Sequence, residues 1–163
     1  MSRPVFLTLA LAAACGTSSG GMSGPTLSGR MQNDEPPPPA IQSNDILERD
    51  AVTNEAEVKH ILVAWRDLDA GGRPDPRARK RSRREADDLA KQLVARARAG
   101  EPFEPLMAEF SEDPGSAEAG STYRVTPAAQ LVFEFKRLAL RLDVGEVGLV
   151  LSAYGWHVMK RVK

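Results

Sequence analysis

Cysteine is almost missing from this chain: of 163 residues, Cys15 alone carries a thiol. One cysteine excludes an intrachain disulfide framework. Histidine is nearly as scarce, with only His60 and His157. Two histidines and no cysteine in the foldable part fall short of the usual zinc ligand count, so no metal or other cofactor is expected. Net charge is absent as well, 22 basic side chains cancelling 22 acidic ones. That balance argues against a nucleic-acid partner. Nor is there a long hydrophobic run: Val5 to Ala14 has the length of a signal peptide and is too short for a permanent bilayer span.

What is present begins with an address. A short positive start, Met1-Ser2-Arg3, leads into that apolar run, which ends Leu11-Ala12-Ala13-Ala14-Cys15-Gly16. The pattern resembles a bacterial lipoprotein signal, with Ala12 at the lipobox position usually held by leucine and Leu11 one place earlier. It implies that residues 1–14 are removed, that Cys15 is acylated as a membrane anchor, and that the protein faces the periplasm or cell exterior. Residues 15–54 are rich in Gly, Ser, Pro, Asn and Gln and include Pro36-Pro37-Pro38-Pro39. A disordered tether is expected there, flexible at first and locally stiff at the prolines. Charge is uneven, acidic from Asp34 to Glu57 and basic from Arg66 to Arg84.

Residues 55–163 remain for one folded domain. Val58 to Trp65 alternates as a strand, with Ile61, Val63 and Trp65 on one side and His60 and Leu62 on the other. Arg66 to Arg81, with Gly71-Gly72, Pro74 and Pro76, reads as a mobile loop. Ser82-Arg83-Arg84-Glu85 is a capping box for a helix ending at Gly100. A shorter helix follows over Phe103 to Phe110, then the turn Ser111 to Ala117, a short strand over Ser121 to Val125, a helix from Pro127, and strands from Val147 and through Trp156 to Val162. The order predicts an antiparallel α+β domain. His157, flanked by Trp156 and Val158, occupies a strand interior, which requires either a buried partner or a chemical role.

These pieces together resemble the parvulin family of peptidyl-prolyl isomerases. The resemblance rests on His60-Ile61-Leu62-Val63, the helix end Ala97 to Phe103, Phe110-Ser111-Glu112-Asp113-Pro114-Gly115-Ser116-Ala117, Leu131 and Phe135, Gly145-Glu146-Val147, and Tyr154-Gly155-Trp156-His157-Val158, in family order. It implies a four-stranded antiparallel sheet surrounded by about four helices. It also implies that His60 and His157 are neighbours on central strands, sharing a hydrogen-bond network with Asp113 and Ser152, and that Leu131 and Phe135 cup the proline ring. The substrates implied are proline-containing segments of exported proteins.

One stretch departs from the family. After the Ser-Ala turn, members usually read Gly-Gly-Asp-Leu-Gly and an aromatic pair, whereas this chain has Gly120-Ser121-Thr122-Tyr123-Arg124-Val125-Thr126. Val125 or Thr126 is then expected as the pocket wall. Isomerisation of an X-Pro bond crosses a barrier of roughly 20 kcal/mol set by amide resonance, and it needs no nucleophile. An apolar cup and polar groups that favour the twisted amide suffice. Other readings stand beside this one: the histidines as a structural pair, Leu131 and Phe135 as plain core, and the basic run as a solvated face or as a reader of acidic residues before proline.

Overall fold

The computed structural model of the protein describes residues 41–68, 75–117 and 121–163. The signal segment, Cys15, Pro36 to Pro39, Gly71-Gly72 and Gly120 lie outside the described residues.

Chain order is α1 (Asn44–Leu47), β1 (Ala56–Val63), α2 (Arg83–Arg98), α3 (Phe103–Phe110), α4 (Pro114–Ala117), β2 (Tyr123–Val125), α5 (Phe133–Ala139), β3 (Val147–Ser152) and β4 (Gly155–Arg161). The strands form one antiparallel sheet in the order β2-β1-β4-β3. The two histidine-bearing strands are therefore its central pair. Register sets Leu62 opposite His157 and His60 opposite Met159, so the histidines are diagonal neighbours on one face. Ser152 pairs with Gly155, leaving Ala153-Tyr154 as a two-residue hairpin turn. Gly155 has φ +127°, and a Cβ there would lie 2.5 Å from the Val63 carbonyl oxygen, so only glycine lets the hairpin reach β1.

Because strand side chains alternate, the sheet has two apolar faces. On one, Ile61, Val63, Leu149, Trp156 and Val158 pack against Ala86, Ala90 and Leu93 of α2 and Phe103, Leu106 and Met107 of α3. The capping box starts α2 as expected, Ser82 Oγ accepting from the Glu85 amide and Glu85 Oε2 accepting from the Ser82 amide at 2.7 Å. On the other face, Val58, Val125, Val150 and Met159 pack against Ile46, Leu47, Phe135 and Leu138. A Cβ on Gly148 would lie 2.8 Å from Leu138 Cδ1, so the missing side chain lets α5 approach the sheet closely.

Three expectations need correction. The folded region starts before residue 55. The Ser43 amide donates to Leu149 O and the Leu149 amide to Ser43 Oγ, both at 2.9 Å, while the Leu151 amide donates to Gln42 Oε1, so this strap covers the open edge of β3. Arg98 donates to Ser43 Oγ, Arg137 to Leu47 O and Arg141 to Arg49 O. A segment held by distant guanidiniums shows no apolar period in its own sequence. The second correction is in the basic loop, whose residues 75–81 are held in place: Arg77 donates to Glu109 O and Ser111 O, each at 2.7 Å, and Ala78 is buried. The third concerns α5, which begins at Phe133 rather than Pro127, so Leu131 sits in the preceding turn.

Candidate active site

The end of β1 positions an acidic group that lies far away in sequence. The Leu62 amide donates to Ser111 Oγ, and Leu62 O accepts from the Glu112 amide at 3.0 Å, so the segment after α3 runs beside β1. Glu112 secures it: Oε2 accepts from the Ala64 amide at 2.7 Å and Oε1 from Arg81 at 2.6 Å, with the Glu112 side chain 1% exposed. Arg81 also donates to Ala64 O. This buried ion pair joins the basic loop to the site, and like-signed neighbours in the sequence give no hint of it. Asp113 is thereby brought to His60.

Four expected polar residues meet in one chain of hydrogen bonds. Ser152 Oγ lies 2.8 Å from His157 Nε2, His157 Nδ1 lies 3.3 Å from His60 Nδ1, and His60 Nε2 lies 2.9 Å from Asp113 Oδ2. The Tyr154 amide donates to Ser152 Oγ at one end, and the Tyr123 hydroxyl donates to Asp113 Oδ2 at 2.7 Å at the other. Both histidines and Ser152 are buried, yet among the described residues no buried side-chain polar atom lacks a partner.

Electrostatics follow from this geometry. Hydrogen bonding from His60, then from Tyr123, holds the Asp113 carboxyl far below the usual carboxylate range, against the opposing effect of burial. Asp113 is an anionic acceptor. Burial, then the hydrogen bond to Asp113, pushes the Tyr123 hydroxyl up to about 12 and keeps it a donor. Burial, reinforced by His60, pushes His157 down to about 3, so it is neutral at physiological pH. A neutral His157 has one N–H, so it donates at one ring nitrogen and accepts at the other. When Ser152 donates to His157 Nε2, His157 Nδ1 donates to His60 Nδ1 and His60 Nε2 donates to the Asp113 carboxylate, every contact in the row is satisfied.

Above the polar row is a cleft of about 240 Å³ lined by His60, Leu62, Asp113, Tyr123, Gln130, Leu131, Val132, Phe135, Tyr154 and His157. Leu131 and Phe135 line it as expected. Phe135 stands edge-on to both imidazoles, at 5.0 Å from His60 and 5.3 Å from His157. Val125 and Thr126 do not line it. Register explains why: Val125 lies opposite Ala56 and is fully buried with Val58, while Tyr123, opposite Val58, stands nearer His60. Tyr123 is the wall, its ring 5.0 Å from His60. The sequence signal for it was the tyrosine itself, on the same strand face as Val125. In the basic run Arg77 and Arg81 bond to the fold as above and Arg83, at the start of α2, lies over the Trp65 ring, while Arg79, Lys80 and Arg84 are exposed. Among the described residues no cluster of three or more potential ligands is arranged for a metal ion.

An apolar cup floored by two hydrogen-bonded histidines and walled on one side by a carboxylate is the arrangement implied for parvulins, and the sequence model of the PPIC-type PPIase domain matches residues 44–163. The chain belongs to this family. As a PPIC-type domain it is 34% identical over 110 residues to chaperone SurA of Pseudomonas fluorescens, covering 67% of this chain and 23% of that protein. To foldase protein PrsA of Geobacillus kaustophilus it is 32% identical over 130 residues, covering 74% of this chain and 46% of the relative. The chain thus spans about a quarter to a half of the curated relatives it matches. The crystal structure of the peptidylprolyl isomerase PrsA from Bacillus cereus superposes with a TM-score of 0.50 at 29% identity, covering 74% of this chain and 38% of that one. The peptidyl-prolyl isomerase ESS1 from Candida albicans, at 21% identity, shares the PPIC-type fold with a TM-score of 0.55, covering 68% and 63%.

Proposed function

We propose that this protein is a peptidyl-prolyl cis-trans isomerase that assists the folding of exported proteins in the bacterial envelope, held at a membrane by acylated Cys15 and acting without a cofactor. The observation that carries the reading is the apolar cleft of Leu131 and Phe135 set directly over the His157–His60–Asp113 row. The relatives named chaperone SurA and foldase protein PrsA support the role in protein folding. In this mechanism the ring of a substrate proline enters the cup, and removal from water strengthens the field of the polar groups beside it. As the X-Pro amide twists, its nitrogen regains a lone pair and its carbonyl loses resonance. Donors and the Asp113 charge that favour the twisted over the planar amide lower the barrier, and no covalent bond forms.

A second reading has its own observation: the Asp, Gly and aromatic of the family stretch are replaced, and Tyr123 fills the wall. In that reading the domain binds proline segments as a chaperone and accelerates little. A protease-coupled assay on proline tetrapeptides, run beside a peptide-binding titration, separates the two. Acceleration well above buffer supports the enzyme; binding with a buffer rate sinks it. Membrane partition of a Cys15→Ser protein equal to that of the parent would contradict the anchor.

A further inference from the structure

Tyr123 stands where the family stretch is altered, and two contacts give it a task. Its hydroxyl donates to Asp113 Oδ2, the same oxygen that faces His60 Nε2, and its ring packs edge-on against the His60 imidazole at an interplanar angle of 82°. Phe135 meets His60 edge-on as well, at 85°. His60 is thus gripped by aromatic rings, and the carboxylate that orients it is itself gripped by Tyr123. The Gly115 amide donates to Asp113 Oδ1 at 3.2 Å, so both carboxylate oxygens are held.

Gly115 also makes the room. A Cβ on Gly115 would lie 2.5 Å from the Tyr123 hydroxyl oxygen but 3.6 Å from the ring carbon that bears it. The first is a clash and the second an ordinary contact. The niche therefore accepts tyrosine with glycine, or phenylalanine with alanine, and rejects tyrosine with alanine. An alanine at 115 keeps the amide that bonds Asp113, so it perturbs the hydroxyl alone.

We propose that Tyr123 is a positioning residue of this site: its hydroxyl, seated over Gly115, holds the Asp113 carboxylate against His60 and so sets the imidazole row beneath the proline cleft. The inference rests on the isomerase reading for its kinetic arm only. The test uses the full chain as parent, Tyr123→Phe, Gly115→Ala and the double variant, with the protease-coupled rate, peptide affinity and the imidazole 15N spectrum of His60 measured for each. Tyr123→Phe and Gly115→Ala each lower kcat/KM about tenfold, with peptide affinity held and the His60 resonances shifted. The double variant is no slower than Tyr123→Phe, because the hydroxyl that Gly115 accommodates is already gone. Single-variant losses that multiply to about a hundredfold, or a Tyr123→Phe protein with the parent's rate and unshifted His60 signals, would overturn it. If the parent gives no acceleration, the isomerase reading fails by itself; the His60 spectrum then decides the positioning role, a shift on Tyr123→Phe supporting it and an unchanged spectrum refuting it.

Discussion

The two faces of the sheet are built from the same strands and differ in what covers them. Under α2 and α3 the strands present Ile61, Val63, Leu149, Trp156 and Val158 to a closed apolar layer. Under α5 the neighbouring positions include His60, His157 and Ser152 beside Val58, Val150 and Met159. α2 runs for 16 residues, whereas α5 has 7 and, seated close over Gly148, leaves the far end of its face to a turn carrying Leu131 and Val132. Two helices together seal one face, whereas a single short one leaves the opening in which a site can form. Stability should therefore be concentrated on the first face and chemistry on the second.

The largest test of that division is Phe103→Ala, which empties a fully buried position on the sealed face. A loss of about 3–5 kcal/mol is expected in urea unfolding, with kcat/KM of the surviving folded fraction unchanged. Next comes Arg81→Met, which leaves the Glu112 carboxylate buried and unpaired. It should cost about 3 kcal/mol and, unlike the first, lower the rate by releasing the segment that carries Asp113.

Acid should act through the open face. The imidazole of His157 is held down to about 3 in the fold, against an ordinary value of 6.5. Between these values the unfolded chain binds a proton that the folded chain refuses, so stability falls as pH drops below 6.5. The slope attributable to this group is about 1.4 kcal/mol per pH unit, giving roughly 2 kcal/mol between pH 6.5 and 5. Denaturant melts at the two pH values check it, and His157→Gln should flatten the difference. Asp113 acts in the same direction at lower pH: its depressed value contributes stability above the ordinary carboxylate range, lost only in stronger acid.

Phe135→Leu trims the cup without opening the sealed face. Peptide affinity should weaken about tenfold, equal to about 1.4 kcal/mol, in a fluorescence titration. The smallest effect is expected at Arg124→Ala, which breaks the exposed pair with Glu55 on the edge strand. Solvent screens such pairs, so the melting temperature should not move measurably.

Much of the frame was legible in the residues. His60 and His157 stood out as polar residues inside alternating apolar runs, and the serine-glutamate spacing at Ser82 and Glu85 marked the start of α2 because capping is local. What escaped notice depends on partners far apart in sequence. Arg81 and Glu112 lie 31 residues apart and each looks solvated by itself. Ser43 reads as part of a polar tether until Leu149 and Arg98 meet it. Between Tyr123 and Val125, two residues on one strand face, only the pairing with Val58 and Ala56 decides which reaches the cleft.

The sequence by itself determined the alternation that gives each strand two faces and the start of α2, because each depends on bonds and torsions within a few residues. Tertiary structure alone decided that His60 and His157 touch, that Asp113 and Tyr123 close the row, and that the strap covers the edge of β3. Those contacts are set by strand register and by hydrogen-bonding groups that must find partners once water is excluded.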